Sequence, residues 1–171
     1  MNMGKTKNDI KKVEKFSLYL YLKHNVNSNL RIQKILFFLR VYEKKNNIVT
    51  SPIFDKENEN FQAWVYGPVN IDSYNFMRKK LIKEEEIEVD SLNDDDTKLF
   101  EKYDEVIDKL NKCESNQLVD WSHQNLEYIN VRKRGGIKDW QPCCLFLNES
   151  TTDFVSFSEI ASEEIMEFLQ F

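Results

Sequence analysis

At 171 residues, with 41% hydrophobic and 31% charged side chains, the chain has the size of one domain and enough apolar material to bury a core. A net charge of −5 argues against nucleic acid and membrane surfaces as ligands, because their phosphates demand a positive footprint. With only 4 Gly and 3 Pro, helices joined by short loops are favoured over a glycine-rich barrel.

The first predicted element is a helix over 10–24. Ile10, Val13, Phe16 and Leu20 recur at helical spacing, with Leu18 and Leu22 on a neighbouring row. Asn25, Asn27, Ser28 and Asn29 then interrupt it, and their short polar side chains favour a turn and an N-cap. A second helix is expected over 30–43, with Ile32, Ile35, Leu36, Leu39 and Tyr42 on one face and Arg31, Lys34 and Arg40 largely off it. Periodicity fails from Glu43 to Asn60, where Pro52 marks an irregular connection anchored by Ile53 and Phe54.

Residues 61–69 read FQAWVYGPV. Phe61, Ala63 and Val65 alternate with Gln62, Trp64 and Tyr66, which predicts a short extended segment with two faces. Gly67 is read as a turn residue with positive φ, intolerant of alanine, and Pro68 as the lead into a helix over 69–81. Ile71, Tyr74, Met77, Arg78 and Leu81 carry that helix. The acidic run KEEEIEVDSLNDDD reads as a solvated linker, with Asp94–Asp96 at the positive end of the next helix, 96–112. That helix would bury Leu99, Tyr103, Val106 or Ile107, and Leu110. Ser115 is the expected cap of a helix over 116–123, followed by a short helix to Arg132 that Gly135-Gly136 stops. A last helix is placed at 163–169 with Ser162 as its cap; an earlier start from Ser156, with Glu159 completing a capping box, competes. The fold class is thus mainly α, a compact helical domain with a small β element, as a single domain over 1–171.

The chemistry is sparse. No apolar run reaches membrane-spanning length, and the start MNMGKTKNDIKK lacks the apolar segment of a signal peptide. Three cysteines, two of them adjacent (Cys143, Cys144), build no disulfide framework, so the expected compartment is the reducing cytoplasm. The two histidines are His24, at a helix end where a cation suits the dipole, and His123. A Cys113–His123 dyad has no supporting motif, Cys143-Cys144 lacks the paired spacing of a zinc site, and Gly135-Gly136 lacks the lysine and hydroxyl of a phosphate loop. No cofactor, no metal and no catalytic residue is therefore expected, and the protein is read as not an enzyme. Two basic clusters remain. Lys5, Lys7, Lys11, Lys12 and Lys15 read as a solvated face, whereas Arg132-Lys133-Arg134 adjoins an aromatic-rich stretch.

Three strings and a closing helix, in order, then resemble one family. LRIQKILFFLRVYEKKN is similar to a helix of the form LxKLLYYAxxxxL. SPIFDKENENFQAWVYGPVNIDSY carries an element similar to xAWxYGPVxxxxY. LVDWSHQNLEYINVRKRG is similar to LxxxTHxxxPWxxAR, with Ser122-His123 for Thr-His and Leu126-Glu127-Tyr128 in place of the usual Pro-Trp, and SEEIMEFL is similar to a closing xEIxxYF helix. On these strings the chain resembles the SocA-like (Panacea) antitoxin domain across most of residues 10–169. The resemblance implies a helical domain of bacteria and phages that neutralises a cognate toxin by direct binding, in one branch as an adaptor to a protease such as ClpXP. The alternative is a phage or mobile-element protein docking on a host protein or protease.

FQAWVYGPV then has two readings. It is a core element, or its second face binds the partner. In the latter case the partner-binding residues are Trp64, Tyr66 and the adjoining Pro68, with Trp121 and His123 extending the surface and Arg132 and Arg134 contributing charge. An acidic protein draws basic partners, while exposed rings supply the specific contact.

Overall fold

The computed structural model describes residues 10–55, 61–82, 92–136, 145–147, 152, 154–155 and 159–169. Helix α1 (Lys12–His24) ends where Asn25 adopts a left-handed φ of 56° and returns its N–H to the Leu20 carbonyl, a closure that asparagine accepts more readily than other residues bearing a Cβ. Ser28 then caps α2 (Asn29–Lys45), its hydroxyl accepting from the Arg31 N–H. The asparagine-rich link thus ends one helix and starts the next.

Helix α2 is the hub of the molecule. Every residue from Ile32 to Val41 is buried, so the expected polar flank does not exist: Lys34 and Arg40 lie inside. The cause is tertiary, because α1, α3, α5, α6 and β2 all close around this helix. Buried polar groups need partners, and Gln33 and Glu43 find theirs in side chains and backbone from other elements. Gln33 donates to Ser73 Oγ (3.0 Å) and accepts from the Asn70 N–H (3.0 Å). The Glu43 carboxylate accepts from Ser51 Oγ (2.7 Å) and Tyr103 Oη (2.6 Å). The Arg40 guanidinium lies over the Phe61 ring at 5.2 Å. Ser51 also accepts the Ile53 and Phe54 N–H groups, which brings those two anchors into the core as expected.

Strands β1 (Phe61–Trp64) and β2 (Gly67–Asn70) form an antiparallel hairpin with Trp64 opposite Gly67. The turn is therefore Val65–Tyr66, so Val65 is a half-buried turn residue rather than a core residue, and Gly67-Pro68 belongs to a strand. Neither turn residue has positive φ; Gly67 does, at 105°. A glycine in that conformation directly after an unprimed turn restores the twist that the turn would splay. Because β2 intervenes, α3 (Ile71–Ile82) starts two residues later than expected, with Asn70 Oδ1 accepting from the Ser73 N–H.

The helix expected over 96–112 is two helices, α4 (Asp94–Glu101) and α5 (Asp104–Asn111). At the break the Tyr103 N–H reaches back three residues to the Phe100 carbonyl. This tightening lines up residues three apart, and Phe100 and Tyr103 both meet Phe16 edge-on, at 4.9 and 6.2 Å. Asn93 caps α4, and Asp94–Asp96 occupy its first turn. Helix α6 (Ser115–His123) starts one residue early. Glu114 holds the cap position, and Ser115 instead accepts from Arg31 at 3.1 Å. Asn125 caps α7 (Leu126–Arg134), which ends at Gly135 with Gly136 at a φ of 59°. The terminal helix α8 (Glu159–Phe168) begins before the expected 163, so Ser162 lies within it. Ser156, Cys143, Cys144 and most of the acidic run lie outside the described residues. The fold is mainly α, with this one small sheet among the described residues. None of their helices is long and apolar enough to cross a membrane.

Candidate partner-binding site

The hairpin is held by its backbone. Along β1 and the turn, three successive carbonyl oxygens each receive one side-chain donor from the α6–α7 pair. Arg132 donates to Ala63 (2.8 Å), Tyr128 Oη to Trp64 (2.6 Å) and His123 Nε2 to Val65 (2.9 Å). A fourth donor, Lys34 Nζ from α2, reaches the Pro68 carbonyl at 2.8 Å. A carbonyl only accepts, so His123 carries its proton on Nε2. Burial pushes this imidazole below its ordinary value; Lys34 and Arg132 act in the same direction, against the Val65 carbonyl and Asp120. The His123 and Tyr128 rings stack at 5.3 Å, and Arg132 lies over Tyr128 at 6.0 Å. The other edge of β1 is covered too, with the Leu147 N–H bonded to the Phe61 carbonyl and the Ala63 N–H to that of Leu145.

Clamped from behind, the hairpin turns its other face outward. Phe61 and Ala63 are fully buried, as their alternation predicts, while Trp64 is half-buried and Tyr66 is 67% exposed. The Trp64 indole donates to Gln62 Oε1 (2.7 Å) and meets the Tyr74 ring edge-on at 4.8 Å. Trp64, Tyr66, Val69, Tyr74 and Leu81, with Leu30 from α2, line a groove of about 650 Å³ between the hairpin, α2 and α3. Ile82, 70% exposed, also lines it, and Arg78 is the charged residue of the lining.

The residues singled out in the sequence therefore fall into separate places. Trp64 and Tyr66 are together in the groove. Pro68, His123 and Arg132 are behind the hairpin, and Arg134 is exposed in the last turn of α7. Trp121 is 6% exposed, between Phe38 and Phe168. Two residues along a helix are separated by about 200°, so Trp121 and His123 face opposite ways. Sequence reasoning missed Leu30 and Tyr74 as groove walls, and Lys34 and Tyr128 as clamp members. The signal for Lys34 was available: a lysine followed at once by five apolar residues, Ile35–Leu39. Among the described residues no group of three or more His, Cys, Asp or Glu is placed to hold a metal ion.

No curated protein and no solved structure matches the chain. The family model of the antitoxin SocA-like, Panacea domain matches residues 32–127, which is more than half of the chain and runs from α2 through the hairpin to the start of α7. The chain belongs to the SocA-like, Panacea-domain antitoxin family.

Proposed function

We propose that this protein acts as one domain, an antitoxin that neutralises a cognate toxin by direct binding, with the groove beside Tyr66 as the docking face. The observation that carries this reading is an apolar groove, walled by a clamped hairpin, in a chain of an antitoxin family. Large rings held partly exposed on a rigid support are the side chains from which interface hot spots are built. The net charge of −5 speeds encounter with a basic partner, while the groove supplies the specific contact. Delivery of the captured toxin to a protease such as ClpXP is the further step this role would allow.

Co-expression with the protein encoded beside it, scored by growth and by co-purification, tests the reading. Growth rescue and a stable complex, both lost in Tyr66→Ala with an unchanged melting transition, are the expected outcome. Rescue that survives Tyr66→Ala and Trp64→Ala in folded protein would move the interface elsewhere, with Arg134 next to be tested. A partner recovered from the host instead of the neighbouring gene would favour the host-protein alternative.

A further inference from the structure

Lys34 is 1% exposed on α2, immediately ahead of the apolar Ile35–Leu39 run. Its Nζ donates to the Pro68 carbonyl at 2.8 Å and lies against the α-carbon of Gly67, 3.1 Å from the position a Cβ there would take. An ammonium has three protons to place, and the geometry supplies one acceptor. No carboxylate pairs with Nζ among the described residues. A neutral amine keeps the donor to Pro68 and sheds the buried charge, and burial pushes Lys34 down to about 7.

Burial, not a neighbouring charge, is what lowers Lys34. From α6 the titratable group is His123, with Asp120 acting on it from an exposed position; from α7 it is Arg132 beside His123. Between Phe61 and Asn70 the strands carry no ionisable residue except Tyr66 at the tip. Helices α1, α3 and α5 also pack on α2, but none bonds or ion-pairs with Nζ. On α2 itself, Arg31 is held by the Asn111 and Cys113 carbonyls, and Arg40 lies over Phe61.

We propose that Lys34 is the positioning residue of the docking face: as the neutral amine bonded to the Pro68 carbonyl it seats β2 and the Tyr66 tip on α2, and a proton added to it loosens the hairpin. This rests on the docking reading only for what the face is used for. The direction follows from proton linkage. An opened hairpin exposes Lys34 to water, where it titrates near its ordinary 10.5. Between about 7 and that value the closed form binds fewer protons than the open one, so closure strengthens as pH rises, by at most about ten-fold per unit for one proton. Below about 7 both forms carry the Lys34 proton and its contribution flattens. His123, whose value is also lowered, adds a dependence of the same sign at lower pH.

Amide hydrogen exchange of residues 61–70 between pH 6 and 9.5, corrected for the intrinsic rates, tests this without any partner. In the wild type the opening constant should fall several-fold to ten-fold per pH unit above pH 7.5, while α1 stays flat. In Lys34→Met, which fills the site without a donor or charge, the slope should vanish. A flat wild-type profile, or the same slope in Lys34→Met, overturns the proposal. Should Lys34→Met fail to fold, the ¹³Cε resonance of Lys34 in the wild type decides: a midpoint near 7 supports the assignment, and one near 10.5 ends it. Failure of the toxin reading leaves these measurements untouched, so the two stand or fall separately.

Discussion

Gly67→Ala is the perturbation with the sharpest expected outcome. Gly67 holds a φ of 105°, a conformation that side-chain-bearing residues rarely adopt. A Cβ there would collide with Ser122 Oγ and crowd Lys34 Cε and Nζ, each 3.1 Å away. Neither neighbour is free to retreat. Ser122 Oγ donates to the Val119 carbonyl (2.8 Å), and Lys34 is bonded to Pro68. The backbone strain costs about 1–2 kcal/mol. Displacing the Ser122 hydroxyl from its bond costs roughly 1 kcal/mol, and overpacking adds about 1–3 kcal/mol. Destabilisation of about 3–6 kcal/mol is expected, lowering Tm by on the order of 10 °C. Urea unfolding measures it as a lowered midpoint at constant slope. Ser122→Ala introduced into the Gly67→Ala background should recover the collision part and leave the strain, a coupling that a double-mutant cycle reads directly. A loss below about 1 kcal/mol, or no recovery in the double mutant, refutes the reasoning.

Tyr66→Ala should leave the melting transition within about 0.5 kcal/mol of wild type, because the ring is mostly exposed; a clear loss of stability would mean that the tip is a core element. Trp64→Ala should cost about 1–2 kcal/mol through its lost packing on Tyr74, so toxin protection must be compared with stability for each variant. Tyr128→Phe removes the donor to the Trp64 carbonyl and should cost roughly 1 kcal/mol with faster amide exchange in β1; unchanged exchange counts against the clamp. Tyr103→Phe takes a donor from the buried Glu43 carboxylate and should cost about 1.5–3 kcal/mol in urea unfolding. The Tyr103 hydroxyl, raised above its ordinary value by burial and by that carboxylate, should give no phenolate absorbance while the protein remains folded at pH 10.

What was legible in the sequence followed from local chemistry. Apolar spacing placed α1 and α3, short polar side chains marked the α1–α2 link, and the alternation in FQAW assigned Phe61 and Ala63 inward and Trp64 outward. The misreadings share one physical origin, which is that partners distant in the chain decide the outcome. Lys34 was placed outside because helical periodicity reports one buried face, whereas five elements close around α2. The break between α4 and α5 carries no Gly or Pro; it arises because Phe100 and Tyr103 must both reach Phe16. Gly67-Pro68 looked like the turn, yet register puts the turn on Val65–Tyr66, which have no turn chemistry of their own. The proposed docking groove was half legible. Its aromatic wall was visible in the alternation, but Leu30 and Tyr74 join it only through the packing of α2 and α3 around the hairpin.

The clamp explains why motifs so far apart in the chain belong to one device. Lys34 from the first string, and His123, Tyr128 and Arg132 from the third, all bond to the middle string, and every one of those bonds ends on a main-chain carbonyl. A carbonyl is the same group whatever side chain its residue carries. The frame is therefore indifferent to what Val65 and Tyr66 present outward, while Gly67 is fixed because a Cβ there would meet Ser122 and one of the donors, Lys34. Tyr128 shows the same logic from the other side. It stands where the resembling motif carries tryptophan, and its hydroxyl is the group that bonds the Trp64 carbonyl at 2.6 Å. A frame built this way would separate stability, which resides in the donors and Gly67, from the recognition proposed for the Trp64–Tyr66 face and the walls of its groove. Changes of partner can then be accommodated in the groove without loosening the hairpin that presents it.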